Sequence, residues 1–470
     1  MTENLMNEAQ LNEAAGRHLL LHFSEMSAYP DRPFPMMVRG EGAYVWDSAG
    51  RRYVDGLAGL YTVNVGHGRR AIADAVHRQL NSLEYFPLWN FVTPAAAQLA
   101  EKIAELAPGN LNRVFFTSGG SESVESAYKL VRQYQKLRGN PDKKKIISRT
   151  GAYHGMTLGA LAICGLPGMQ EPFQPLMPTV RHAPMVDSYH ADTTPEQHAL
   201  DCAQGVADVI AVEGPETVAA VIVEPLQNAA GCRPVEPVYY RRLREICDAN
   251  DVMLISDETI CSWGRTGGFF GSSVLGYQPD IITTAKALTS GYVPMGAVIV
   301  GDHVVEPFLA PGVVFEHGLT FGGHPAAAAA GLANIAVLEE ENLSQRAVEL
   351  GEYMQRGLSE LLRLPIVGDV RGGGYFRAVE LVADQGTKAP LPTEVLQRWS
   401  REITPALLER GVICRAMHRG SPIIQFAPTL VTSEADIDHM VSALGEVLEP
   451  MSAEFHSGSG AAQPVHSLTV

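Results

Sequence analysis

Residues 280–301 read DIITTAKALTSGYVPMGAVIVG. Two apolar runs, DIITTAK (280–286) and GAVIVG (296–301), are joined by AKALTSGYVPMGAV (285–298), whose one charge is Lys286. No other Lys or Arg stands between Arg265 and Arg346. Continuous apolar runs of this length are the mark of strands buried on both faces. Outward from here the pattern repeats as VFFT (114–117), KIISR (145–149), AAVIVEP (219–225) and VMLISDE (252–258). Helical patterns follow at SESVESAYKLVRQYQKL (121–137), VYYRRLREICDAND (238–251) and HPAAAAAGLANIAVLEEE (324–341). Strands alternating with helices indicate an α/β fold built on a parallel sheet.

This alternation defines a large domain over 69–325. Residues 1–68 form an N-terminal segment joining the small domain, and GAYVWD and RRYVDG within it read as a hairpin. Residues 326–451 read as a linking helix and a smaller α+β domain, with RGGGYFRAVELV and SPIIQFAPTL as strands and ADIDHMVSALGEVLEPM as a closing helix. The tail 452–470, SAEFHSGSGAAQPVHSLTV, is rich in Gly, Ser, Pro and His and reads as disordered.

The 470 residues are 46% apolar and 19% charged, which is ordinary for a globular protein. A formal charge of −16 argues against nucleic acid as a partner. No apolar run reaches a membrane span, and MTENLMNEAQ has no secretory pattern. The six cysteines are scattered, with no C-x-x-C pair and no zinc spacing. A reducing, cytoplasmic setting fits them.

Ligands of open α/β sheets bind beyond the carboxyl ends of the strands. Here those ends are loaded. VFFT leads into SGGSES, AAVIVEP carries Glu224, VMLISDE carries Asp257 and Glu258, and DIITTAK ends at Lys286. Taken alone, Lys286 also reads as a lysine snorkelling from a strand end. A desolvated lysine, however, favours the neutral, nucleophilic amine. Gly119 and Gly120 allow close backbone approach, and Ser121 opens a helix whose N-terminus suits a phosphate. Neither a P-loop nor a G-x-G-x-x-G follows a strand. Asp257, in an apolar setting, needs a cation to stay ionised. Aldehyde on Lys286, cationic ring nitrogen on Asp257 and phosphate on the glycine turn are the three fixed points of pyridoxal 5'-phosphate. Tyr153 and His154, in AYHG, offer aromatic faces for its ring.

Eight stretches taken together carry a resemblance: GLAGLYTVNVGHG (56–68), FFTSGGSES (115–123), AYHGMT (152–157), AVIVEP (220–225), DETICSWGRTG (257–267), AKALTSGY (285–292), HGLTFGGHP (317–325) and GVICR (411–415). In this order, over about residues 20–450, the chain resembles the class III, fold-type I aminotransferases, and within them the ω-amine:pyruvate group. The resemblance implies a large domain with a mostly parallel seven-stranded sheet and a homodimer with active sites at the interface. It implies that Lys286 forms the Schiff base and shuttles a proton, Asp257 keeps the ring nitrogen protonated, Gly120 and Ser121 bind phosphate, and Tyr153 covers the ring. Glu224 lies near the cofactor, and Thr320 reaches the phosphate from the neighbouring subunit. Arg415 is similar to the group's mobile arginine, pairing with the carboxylate of an oxo acid and swinging aside for an amine. Tyr61, Trp89 and Tyr153 shape the substrate pockets, and pyridoxamine phosphate is the alternate cofactor form.

The chain departs from that pattern in several places. Thr259 stands for the usual Val, Ile260 for the Gln of 4-aminobutyrate-type enzymes, Trp263 for Phe, Ala287 for Gly, Gly119 for Ser and Tyr61 for Trp. HRGSP follows Arg415, so Arg419 competes for the carboxylate role. The favoured reading is a ping-pong transaminase acting between a primary amine or ω-amino acid and an oxo acid, pyruvate above all. A decarboxylase or aminomutase of the same family, and a catalytically silent regulatory protein on the same fold, are the alternatives.

Overall fold

The computed structural model describes residues 7–28, 35–418 and 422–457. Its centre is a seven-stranded sheet in the order Leu111–Thr117, Gly296–Gly301, Ile281–Thr284, Met253–Asp257, Val218–Val223, Lys145–Arg149, Val180–Ala183. Every residue of the strands at 218–223, 253–257 and 281–284 is buried, because helices cover both faces.

Six strands run parallel. Gly296–Gly301 is antiparallel to both its neighbours. The link from Thr284 to Gly296 is too short for a crossover helix, so the chain turns back beside its own strand. The strand Val180–Ala183 has no counterpart among the apolar runs. It is short and half-buried at the sheet edge, where polar VRHA is tolerated.

A second sheet pairs Met37–Glu41, Tyr44–Asp47 and Arg52–Asp55 with Val412–Ile413 from the far end of the chain. The expected hairpin is present as the antiparallel pair Tyr44–Asp47 and Arg52–Asp55. A third sheet holds Val367–Gly373, Phe376–Leu381, Pro422–Phe426 and Arg415–His418. The last helix runs Glu434–His456, capped by Ser433 and Asp436. It thus extends through Ser452–His456, the start of the expected disordered tail; residues 458–470 lie outside the described residues. No helix of the described residues is long and apolar enough to cross a membrane.

Candidate active site

The carboxyl ends of the parallel strands open onto one cavity of about 370 Å³. Its walls include Gly120, Ser121, Tyr153, His154, Glu224, Asp257, Thr259 and Lys286. They arrive from the ends of five strands or from the segments that follow them. The helix Gly120–Leu137 begins at the cavity with no side chain capping it. Its first-turn N–H groups are therefore open to an anion. Two glycines make this corner possible. A Cβ on Gly120 would meet Thr259 Cγ2 at 2.8 Å, and one on Gly155 (φ 134°) would meet Ser121 Oγ at 2.4 Å. Ser121 Oγ accepts from Met156 N–H at 3.0 Å and fixes that turn. At Gly119 a Cβ would meet nothing, so the serine hydroxyl of the family is absent without any steric demand.

Lys286 follows the strand Ile281–Thr284 and takes φ 44°, a conformation that a residue with a side chain adopts only when its surroundings enforce it. The enforcement comes from Asn334 on the helix Pro325–Glu340, whose amide donates to the carbonyls of Ala287 (2.8 Å) and Leu288 (3.1 Å). The positive φ falls on Lys286 rather than Ala287, so alanine in place of glycine carries no strain. Burial pushes the Lys286 amine below its ordinary value, against the pull of Asp257 and Glu224.

Asp257 is 5% exposed. Its Oδ1 accepts from Thr259 Oγ1 (2.7 Å), Thr283 Oγ1 (3.0 Å) and Thr259 N–H (3.2 Å). Its Oδ2 faces His154 Nδ1 at 2.8 Å. Burial alone would raise this carboxyl; His154 and the Thr259 donors outweigh it and hold Asp257 below the usual range. Glu224 accepts only two long backbone bonds, from Tyr153 N–H (3.3 Å) and Asn228 N–H (3.1 Å), and burial pushes it up. The two carboxyls of one cavity are thus set apart by the number and strength of their donors.

The structure changes one assignment. His154 was expected to offer a ring face. Its side chain is instead wholly buried behind Asp257, where it orients the carboxylate. The odd hydroxyl of Thr259 is also explained, since it points at Asp257. Trp263 is buried, with Nε1 donating to Thr284 Oγ1 at 2.8 Å. Four expected residues do not line the cavity. Trp89 is 60% exposed and borders a separate surface hollow with His317 and Gly318. Thr320 is exposed, its carbonyl accepting from Tyr85 Oη at 2.5 Å. Tyr61 is 2% exposed, packed on Phe376 and donating to Gln425 Oε1 at 2.5 Å. Arg415 stands opposite Gln425 in a strand pair, beside the Tyr61 hydroxyl, and is likewise not part of the cavity wall. Arg419 lies outside the described residues.

Several participants had escaped the sequence reading. Thr283 looks like any strand residue. Arg149, buried at the end of its strand, donates from Nη2 to the Glu224 carbonyl at 2.6 Å. Leu226, Val293 and Met295 line the cavity from loops with no motif of their own.

A sheet whose strand ends gather a lysine, two carboxyls and an open helix start defines an α/β enzyme. The class III aminotransferase family matches residues 26–448. The chain is 48% identical to a probable aminotransferase of Mycobacterium tuberculosis over 94% of each chain. It is 36% identical to the putrescine–pyruvate aminotransferase of Pseudomonas aeruginosa, covering 93% of this chain and 95% of that one. The omega transaminase of Pseudomonas jessenii in complex with PMP superposes with a TM-score of 0.90 at 33% identity, covering 95% and 99%. The chain belongs to the class III aminotransferases, enzymes that transfer amino groups and, as a class, use pyridoxal 5'-phosphate.

Proposed function

We propose that the chain moves the amino group of a primary amine or ω-amino acid to an oxo acid, pyruvate before others, in two alternating half-reactions, with pyridoxal 5'-phosphate in this cavity. One observation carries the reading. Around a single cavity stand Lys286, whose amine burial pushes below its ordinary value, Asp257, whose carboxyl His154 and Thr259 hold below the usual range, and an uncapped helix start. A relative that uses putrescine and pyruvate, and a similar structure holding PMP, support it.

The residues fit the group. Gly120 and Ser121 offer amides to a phosphate, and the glycine there keeps the backbone close. Asp257 would hold the protonated ring nitrogen, oriented by His154 and the two threonines. Tyr153 and Thr259 would border the ring, with Glu224 nearby. When bound, the group supplies an aldehyde that carries the nitrogen and a ring that withdraws electrons from the amine-bearing carbon. Lys286 Nζ would take the proton from that carbon and deliver it to the carbon that had been the group's aldehyde. Leu226, Ile260, Val293 and Met295 keep water from the reacting atoms.

Among the described residues that line the cavity there is no arginine, and Lys286 is the only lysine. Arg415 would leave Tyr61 to pair with the carboxylate of an oxo acid, while an amine without a carboxylate needs no such move. Thr320 and Trp89 are exposed and outside the cavity. A homodimer gives them a role, with the partner subunit's Thr320 reaching the phosphate. The six buried, unpaired cysteines support a cytoplasmic setting.

The test is the visible absorption of the protein loaded with pyridoxal 5'-phosphate. An amine donor should bleach the band and pyruvate should restore it. No band after prolonged soaking would overturn the cofactor reading. Bleaching that only 2-oxoglutarate reverses would overturn the choice of pyruvate.

A further inference from the structure

We infer that the Thr259 hydroxyl weakens the grip of Asp257 on the cofactor's ring nitrogen, making Thr259 a positioning residue that eases release of the cofactor. The inference rests on the cofactor assignment proposed above.

The geometry is lopsided. Asp257 Oδ1 accepts three bonds, two of them from Thr259, and Oδ2 accepts one. Every proton donated to a carboxylate draws charge from it and leaves a poorer acceptor for a further cation. The shortest of the three, at 2.7 Å, is the Thr259 hydroxyl. It is also the one that can be deleted without opening a hole. The Thr259 methyl fills the space beside Gly120, and a valine would put a second methyl where the hydroxyl stands. Oδ1 would keep the residue 259 N–H and Thr283 Oγ1.

The other ionisable groups acting on Asp257 come from separate elements and stay in place. His154 reaches it from the 152–157 turn, and Glu224 and Lys286 from the neighbouring strand ends. The thiols of Cys164 and Cys261 complete the set. A change at residue 259 therefore leaves those groups in place while it removes the Thr259 hydroxyl bond to Asp257.

The consequence falls on the pyridoxamine phosphate form, which has no covalent tie to Lys286 and is held only by such contacts. The experiment measures pyridoxamine 5'-phosphate affinity by fluorescence, and the pH at which the bound ring nitrogen loses its proton by absorbance. Wild type, Thr259→Val and Thr259→Ser are compared. Thr259→Val should bind about tenfold tighter and keep the ring proton to a pH about one unit higher. Thr259→Ser, which keeps the hydroxyl, should match wild type. Equal or weaker binding by Thr259→Val overturns the inference. So does tighter binding by both variants, which would assign the effect to the methyl. If wild type binds neither cofactor form, the cofactor reading itself falls, and this one with it.

Discussion

The molecule buries charge in two places and treats it differently. At the cavity, Lys286, Asp257 and Glu224 share one wall, with Asp257 and Glu224 titrating apart. The second cluster joins the large sheet's surroundings to the C-terminal strands. Arg371 pairs with Glu380 at 2.5 Å and Asp369 at 2.8 Å, and donates to the Gly231 carbonyl at 2.7 Å. Arg233 pairs with Asp187 and lies 3.6 Å from Glu380, while His190 pairs with Asp187 at 3.0 Å. Here cations and anions alternate and pair with one another. Buried charge that is matched within the protein fastens two parts of the chain. Buried charge left facing a hollow is held ready for something that is not protein.

Lys286→Ala should break the first cluster's chemistry outright. Transamination should vanish while far-ultraviolet circular dichroism stays unchanged; wild-type turnover by the purified, cofactor-loaded variant would sink the assignment. Asp257→Asn should lower turnover by several orders of magnitude, because a neutral amide cannot hold a cationic ring nitrogen. The same change should leave urea unfolding less altered than turnover.

Glu380→Gln should do the reverse. It leaves two guanidiniums short of an anion and should cost about 3 kcal/mol in urea unfolding, with turnover per folded molecule near that of wild type. A large loss of turnover at unchanged stability would erase the contrast between the clusters. The smallest effect concerns Lys286→Met in cofactor-free protein. Burial depresses the Lys286 amine, so the unfolded chain binds its proton more readily. Wild-type stability should therefore rise with pH between the depressed value and about 10.4. Lys286→Met should be the more stable at neutral pH by thermal melting, with the gap closing as pH climbs toward that limit.

Much of the fold was legible because burial on both faces leaves no alternative to apolar strands. KIISR and GAVIVG have the bounds read from sequence, and the others agree within a few residues. VRHA was not legible, since an edge strand needs no apolar run. The strand ends carrying Glu224, Asp257 and Lys286 could be read because a charge at the close of an apolar run stands out. Thr283 and Arg149 could not, since nothing in a strand's sequence says which side chain turns toward a neighbour's end. His154 was misjudged for a related reason. An aromatic ring in a glycine turn suggests stacking, and only the third dimension shows Asp257 behind it. The bond from Tyr61 to Gln425 spans 364 residues and has no local signature at all.

The pairing of Arg52–Asp55 with Val412–Ile413 has a consequence for how the protein is made. The hairpin leaves the ribosome with one edge bare, and the strand that covers it is synthesised about 360 residues later. At about 5–20 residues per second, that edge waits roughly 20–70 s. Tyr61 waits as long for Gln425. During biosynthesis the large sheet can form well before the enclosure around Tyr61 and Arg415 exists, so a translating chain passes through a stage with Lys286 in place and that enclosure still unbuilt.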